Sequence, residues 1–137
     1  MVADAALSPL LLGNLGAVLA TLGEDARARL CLARAIAEAR ELGALSLERR
    51  ALLHLAQALR EAGDLERAFE LCACVLREPS TPHDLQASAA RQMEGMAPRL
   101  SDAFVRHAVA CPQPAMLEEV IASLQEPWPA DTRKGGA

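Results

Sequence analysis

The chain has 137 residues, 52% of them hydrophobic and 23% charged, which suits one domain with a buried core and not a disordered chain. It contains 29 alanines and 23 leucines, but valine and isoleucine together number 8, and there is no tyrosine. Strands favour β-branched and aromatic residues, whereas helices favour Ala, Leu, Glu and Arg. The composition therefore excludes an all-β fold and predicts an all-α fold.

The charge pattern narrows the classes of partner. The formal net charge is -4, and no basic cluster longer than Arg49-Arg50 occurs before the C-terminal tail, so we expect no direct contact with nucleic acid. No run of about 18 apolar residues is present, and the first residues lack the basic start of a signal peptide. These features predict a cytoplasmic protein that does not bind a membrane. The strong preference for arginine over lysine suggests a bacterial source.

Three glycines divide the first half of the chain at equal intervals. Gly23, Gly43 and Gly63 are 20 residues apart. Glycine commonly follows the last residue of a helix, because it adopts the left-handed backbone conformation without steric cost. Each interval therefore predicts one helix followed by a tight turn.

The first four predicted helices follow these glycines in chain order. The first begins at Ser8 as N-cap, with Pro9 in its first turn. The second covers about 24–42, and the third extends from Ser46 as N-cap to Ala62. The fourth covers about 64–78 and is ended by prolines. The apolar positions predicted to face inward are Leu11, Leu12, Leu15, Val18, Leu19 and Leu22; Ala28, Cys31, Leu32, Ala35, Ile36 and Ala39; Leu52, Leu55, Ala56 and Leu59; and Leu65, Ala68, Phe69, Cys72, Val75 and Leu76.

The second half is less regular. Thr81 is a suitable cap for a fifth helix that continues to about Ala97, and a sixth helix is predicted over 101–111. A seventh, over 114–124, carries one apolar stripe. Residues 125–137, with their prolines and glycines, are predicted to form a flexible tail.

The first two predicted hairpins repeat with a period of 40 residues. The aligned positions are Leu12, Leu15, Gly16, Leu19, Gly23, Ala28, Leu32 and Ala35 with Leu52, Leu55, Ala56, Leu59, Gly63, Ala68, Cys72 and Val75. Small residues at 16 and 56, opposite Ala28 and Ala68, allow the two helices of each hairpin to approach closely.

This pattern resembles the tetratricopeptide repeat (TPR) family, with leucine at the bulky positions and a period of 40 in place of about 34. Longer repeats of this kind are similar to the helical arrays of large bacterial transcriptional activators and signalling ATPases. The resemblance implies antiparallel helical hairpins stacked as a short α-solenoid of about seven helices. A single domain would span 1–124, with hairpins at about 9–42, 46–78 and 82–111 and a capping helix at 114–124.

The resemblance also implies a function. TPR-like proteins bind a peptide or a partner helix in a groove lined by the first helix of each hairpin. Carried over to this sequence, the groove positions are Leu10, Asn14, Arg50, Leu53, His54, Gln57 and Arg60. We therefore expect a non-enzymatic protein-protein interaction module, a scaffold or regulatory domain with a protein or peptide partner.

Two alternative functions and a hypothesis of self-association stay open at this point. A small-molecule sensor or helical-bundle enzyme would instead enclose a pocket, and a chaperone-like adaptor would use the same groove. The first helix is unusually apolar and carries three consecutive leucines, 10–12. Since one hairpin cannot bury its apolar face alone, the further hypothesis is that this face is covered by a second copy of the chain, in a homodimer through the N-terminal hairpin, or by an upstream repeat.

Reactive residues give little support for catalysis. Cys72 and Cys74 are two apart, so on a helix they project about 200° from each other, and we expect packing instead of metal binding. His54, His83 and His107 form no i, i+4 pair with an acid, as a helical zinc site would. No catalytic residue, metal site or cofactor is predicted.

Overall fold

A computed structural model of the chain describes residues 8–110, 118–119 and 121–122. These residues form six α-helices and one 3₁₀ turn, and no strand occurs among them, as the composition predicts. The helices are α1 (Pro9–Thr21), α2 (Asp25–Leu42), α3 (Leu45–Glu61), α4 (Leu65–Arg77), α5 (His83–Met96) and α6 (Asp102–Ala110), with the 3₁₀ turn at Ala97–Arg99. The predicted seventh helix lies largely outside the described residues, and the predicted tail lies wholly outside them.

The glycine turns have the predicted conformation. Gly23, Gly43 and Gly63 all have positive φ, at 84°, 66° and 100°. The hydrogen bonds of the first turn recur 40 residues later: Glu24 N–H donates to the Leu19 carbonyl and Asp64 N–H donates to the Leu59 carbonyl, each at 2.8 Å. The backbone at the two hairpin turns therefore follows the same pattern.

The close approach within the first hairpin occurs at Gly16. A Cβ atom placed on this residue would lie 2.7 Å from Leu32 Cγ and 3.4 Å from the Ala28 carbonyl oxygen. The small residue at position 16 therefore has the predicted role, although its nearest neighbour is Leu32. At the equivalent place in the second hairpin, Ala56 and Ala68 are both fully buried.

Capping differs from the sequence prediction at two helices. Ser46 is not an N-cap, because the chain enters α3 directly after the left-handed Gly43, with Ala44 at the cap position and no side-chain cap bond. Thr81 does not cap α5 either. Its hydroxyl donates to the Val75 carbonyl at 2.8 Å, at the end of α4. By contrast, Ser8 accepts a hydrogen bond from the first turn of its helix, as predicted.

The first helix buries a different face from the one predicted. Leu12 and Leu19 are buried, together with the small residues Gly13, Gly16 and Ala20. Because these small residues allow α2 and α3 to pack closely, they set the inner face, and the remaining bulky residues lie outside. Of the residues predicted to face inward, Leu11, Leu15, Val18 and Leu22 are exposed.

The predicted inner faces of α2 and α3 are confirmed except at Cys31, which is half-buried. On α4, Leu65 and Leu76 are only partly buried, whereas Leu71 and Ala73 are buried without having been predicted. This helix contacts α3, α5 and α6, so almost its whole circumference is covered. Within the described residues, no helix combines the length and apolarity needed to cross a bilayer.

Candidate functional site

A cavity of about 290 Å³ lies between α3 and α5. We call it the α3–α5 groove and define it by its lining residues, which are Arg50, Leu53, His54, Gln57, Asp84, Leu85, Ser88, Arg91 and Gln92. Four of these, on α3, are among the positions that the sequence predicts for a binding groove. The two helices are joined across its base, where Gln92 Nε2 donates to the Leu53 carbonyl at 3.3 Å.

Two charged side chains of the α3–α5 groove pair with each other. One terminal nitrogen of Arg50 lies 3.7 Å from Asp84 Oδ2, and the two side chains are 40% and 69% exposed. The Nε of Arg50 is buried without a hydrogen-bond partner among the described residues. Arg91 is exposed and makes no ion pair with any residue that the structure describes. The groove lining thus carries two guanidinium groups and one carboxylate.

His54 connects the groove to α1. One of its ring nitrogens, Nε2, lies 3.2 Å from Asn14 Oδ1, and the two residues occupy equivalent positions 40 residues apart. Burial, with a smaller contribution from the positive charge of Arg50, lowers the pKa of His54 below its ordinary value. The imidazole is therefore neutral at pH 7. Because an amide oxygen can only accept, a hydrogen bond to Asn14 Oδ1 requires the tautomer with the proton on Nε2.

The remaining predicted groove residues lie beside this cavity and not in its lining. Leu10 is exposed at the start of α1. Arg60 lies one turn beyond Gln57 on α3, and its guanidinium faces α5, since a Cβ on Gly95 would be 3.7 Å from its terminal nitrogen. Gln57, by contrast, belongs to the lining, where it is exposed and donates to Glu61. The role of all seven predicted residues in binding stays a prediction.

The α5 half of the groove was not predicted. Its polar members, Asp84, Ser88, Arg91 and Gln92, follow helical spacing of i, i+4, i+7 and i+8. That spacing is visible in the sequence from the helix start at Pro82. It was missed because the third hairpin matches the 40-residue repeat poorly, so the groove positions of the first two hairpins did not extend to it.

The groove contains Ser88, His54 and Asp84, which are the residue types of a nucleophilic triad. Such a triad requires the histidine to accept from the serine and donate to the carboxylate. Here the histidine is bonded to Asn14 and the carboxylate pairs with Arg50. The observed pairings therefore provide no activated nucleophile.

A second cavity, of about 250 Å³, lies between α2, α3 and α4 and is crossed by ion pairs. Arg40 Nε donates to Glu48 Oε2 at 2.6 Å, and Glu48 Oε1 accepts from Arg49 at 3.4 Å. Glu118 also accepts from Arg40 at 3.0 Å, which places the described part of the C-terminal segment against α2. The Glu118 hydrogen bond, supported by Glu48, raises the pKa of Arg40. The charged groups of this cluster pair with one another, and the pairs link α2 to α3 and to Glu118.

Cys31 and Cys72 form no disulfide, and Cys72 is fully buried. Burial raises the pKa of Cys72 to about 12, and burial also raises the pKa of Cys31. Thiols with raised pKa values are poor nucleophiles and poor metal ligands. No group of three or more metal-ligating side chains occurs in the described ranges.

No family model, curated protein or solved structure matches this chain.

Proposed function

We propose that the chain is a non-enzymatic protein-protein interaction module that binds an acidic segment of a partner protein in the α3–α5 groove. The observation that carries this proposal is the pair of guanidinium groups in the lining, Arg50 from α3 and Arg91 from α5. Arginine is well suited to hold carboxylates, because its planar fork donates two parallel hydrogen bonds.

Both arginines are available to a ligand. The Arg50–Asp84 pair is long and solvent-exposed, and exposed pairs typically contribute only about 0–1 kcal/mol. A partner carboxylate can therefore replace Asp84 at little cost. His54 is neutral at pH 7, so the lining has one net positive charge, which complements an acidic segment.

The packing of the helices supports an extended occupant. Besides its chain neighbours, α3 contacts both α1 and α5. In a TPR-like α-solenoid, the first helices of successive hairpins contact one another in this way and form one continuous surface. The Asn14–His54 and Gln92–Leu53 hydrogen bonds connect α1 to α3 and α3 to α5. We propose this solenoid arrangement and TPR-like membership on the same grounds.

The groove chemistry disfavours the sensor and enzyme alternatives. Small-ligand pockets are typically about 300–1,000 Å³ and mostly apolar. This groove is just below that range, and Leu53 and Leu85 are its apolar lining residues. A chaperone-like adaptor would use the same groove but would select unfolded apolar segments.

We place the module in the bacterial cytoplasm, as part of a signalling or transcription regulator.

Selection from a library of random peptides tests the proposal without a known partner. The full chain is used as the target in one arm, and a variant with both Arg50→Glu and Arg91→Glu is the target in the other. We expect the full chain to enrich peptides that contain Asp and Glu, and the double variant to lose that enrichment because its groove is acidic.

The matched control is Arg106→Glu, since Arg106 is exposed on α6, away from the groove lining. It changes the total charge in the same direction and should leave the enrichment intact. Enrichment of apolar peptides would favour the adaptor. No enrichment, or enrichment that Arg106→Glu abolishes as completely as the groove variant does, would contradict the proposal.

A further inference from the structure

An apolar stripe covers the outer face of α1. We define the α1 stripe as Leu11, Leu15, Val18 and Leu22, which are 52%, 39%, 54% and 70% exposed. Their spacing of i, i+4, i+7 and i+11 places them in one line along the helix. Soluble proteins rarely expose large contiguous apolar surfaces that serve no contact, which makes the stripe a candidate interaction site.

The repeat shows what such a face does elsewhere in the chain. Forty residues later, the equivalent positions on α3 are Ala51, Leu55, Ala58 and Ala62, and all four are buried. This face of α3 is therefore covered. The helix packs against α1 and α2 of the preceding hairpin. Within the described residues, α1 has no preceding hairpin, and its equivalent face is exposed.

We propose that a second copy of this chain covers the α1 stripe, in a two-fold symmetric dimer with the two α1 helices antiparallel. The stripe is symmetric about its midpoint, so Leu11 would meet Leu22 of the other copy and Leu15 would meet Val18. Homodimers most often have this self-complementary, closed form. Apolar residues at alternating spacings of three and four are also the pattern by which two helices pair along a seam.

Charge and side-chain size favour a second copy over a further stacked hairpin. Residues Pro9–Thr21 contain no charged side chain, so two α1 helices meet without like charges opposed. At the stacking contact on α3, three of the four equivalent residues are alanines, which allow close approach. The α1 stripe instead has four bulky side chains. That set suits two leucine-rich helices that interdigitate at a larger separation.

Sedimentation velocity over a range of concentrations tests the proposal on the full chain. The test variant carries Val18→Glu and Leu22→Glu, and the control is Leu42→Glu. Leu22 and Leu42 are matched, since both lie at the end of a helix and are 70% and 69% exposed. We expect the unaltered chain and the control to dimerise at micromolar concentration, and the double variant to have a dissociation constant at least tenfold higher. Circular dichroism verifies that all three remain helical.

Three results would overturn the dimer. The first is an unaltered chain that stays monomeric over the whole concentration range. The second is a monomeric chain whose melting temperature falls on Val18→Glu and Leu22→Glu substitution, which would show that another part of the same chain covers the stripe. The third is open-ended growth beyond a dimer, which would indicate head-to-tail contacts. The α1 stripe includes none of the α3–α5 groove residues, so loss of the dimer and loss of peptide selection are separate outcomes.

Disulfide trapping tests the orientation. A Leu11→Cys chain is mixed with a differently tagged Leu22→Cys chain under mild oxidation, with the unaltered chain as the background for native cysteines. The antiparallel dimer predicts a mixed disulfide between the two tagged chains. Preferential linkage of Leu11→Cys to itself would indicate parallel helices and contradict the proposed symmetry.

Discussion

The contact between Gly16 and Leu32 gives the sharpest stability prediction. A Cβ at position 16 would lie 2.7 Å from Leu32 Cγ and 2.9 Å from Cδ2, whereas carbon atoms pack best at about 3.5–4.0 Å. Leu32 is fully buried and cannot swing into solvent. Gly16→Ala therefore overpacks the hairpin, at a cost of about 1–3 kcal/mol. Better helix propensity offsets about 1 kcal/mol of this.

Gly13→Ala is the matched control on the same helix. A Cβ at Gly13 would meet its nearest atom, His54 Cδ2, at 3.5 Å, which is ordinary contact. Both substitutions gain the same propensity, so the difference between their unfolding free energies isolates the Leu32 contact. We expect Gly13→Ala to be more stable than Gly16→Ala by about 1–3 kcal/mol in urea denaturation.

A double-mutant cycle completes the test. Leu32→Ala alone should cost about 2–5 kcal/mol, because it leaves a cavity in the core. In that background the space beside position 16 is empty, and Gly16→Ala should become neutral or stabilising. The reasoning is refuted if Gly16→Ala is as stable as Gly13→Ala in the unaltered chain. It is also refuted if Gly16→Ala destabilises equally in the presence and absence of the Leu32 side chain.

Three further predictions concern charge and protonation. Glu48→Gln should lower the unfolding free energy by about 1–3 kcal/mol, because it leaves the buried Arg49 guanidinium poorly paired. The control, Glu38→Gln, removes an exposed i, i+4 pair and should cost at most about 0.5 kcal/mol. Equal losses in urea denaturation would contradict this prediction. Cys72, with its pKa near 12, should react with thiol reagents far more slowly in the native chain than in denaturant, and mass spectrometry of the labelled peptide would refute this by finding equal rates. The pKa of His54 is lower in the folded chain, so the unfolded chain binds the proton more tightly and stability is lost as pH falls from about 6.5 through the folded value. Melting curves of a His54→Gln variant, measured over this pH range, should lack this contribution. An identical pH dependence in the variant and the unaltered chain would contradict the prediction.

Local backbone rules predicted much of the fold. The positive φ of Gly23, Gly43 and Gly63 follows from a requirement that only nearby atoms impose, and a sequence displays it directly. The cap predicted at Ser46 failed because the helix already begins at Leu45, and the cap predicted at Thr81 failed because its hydroxyl bonds elsewhere. Thr81 bonds to a carbonyl six residues earlier, a choice determined by how α4 and α5 meet.

The buried face of α1 was not predictable from periodicity alone. Bulky apolar residues occur all around this helix, so the 3.6-residue pattern has no unique solution. The small residues Gly13, Gly16 and Ala20 determine the inner face, because they permit close packing. For the candidate site, the 40-residue repeat predicted the α3 residues, while the α5 residues required the packing of a hairpin that departs from the repeat.

Chemical-shift mapping tests the central claim most directly, which is that the α3–α5 groove is the surface that binds an acidic segment. An acidic peptide obtained by selection is titrated into the isotope-labelled full chain, and backbone amide shifts are followed. We predict saturable shifts that concentrate around Arg50, His54 and Arg91, and their loss in the Arg50→Glu, Arg91→Glu variant. Shifts confined to other helices, or unchanged in the variant, would contradict the account.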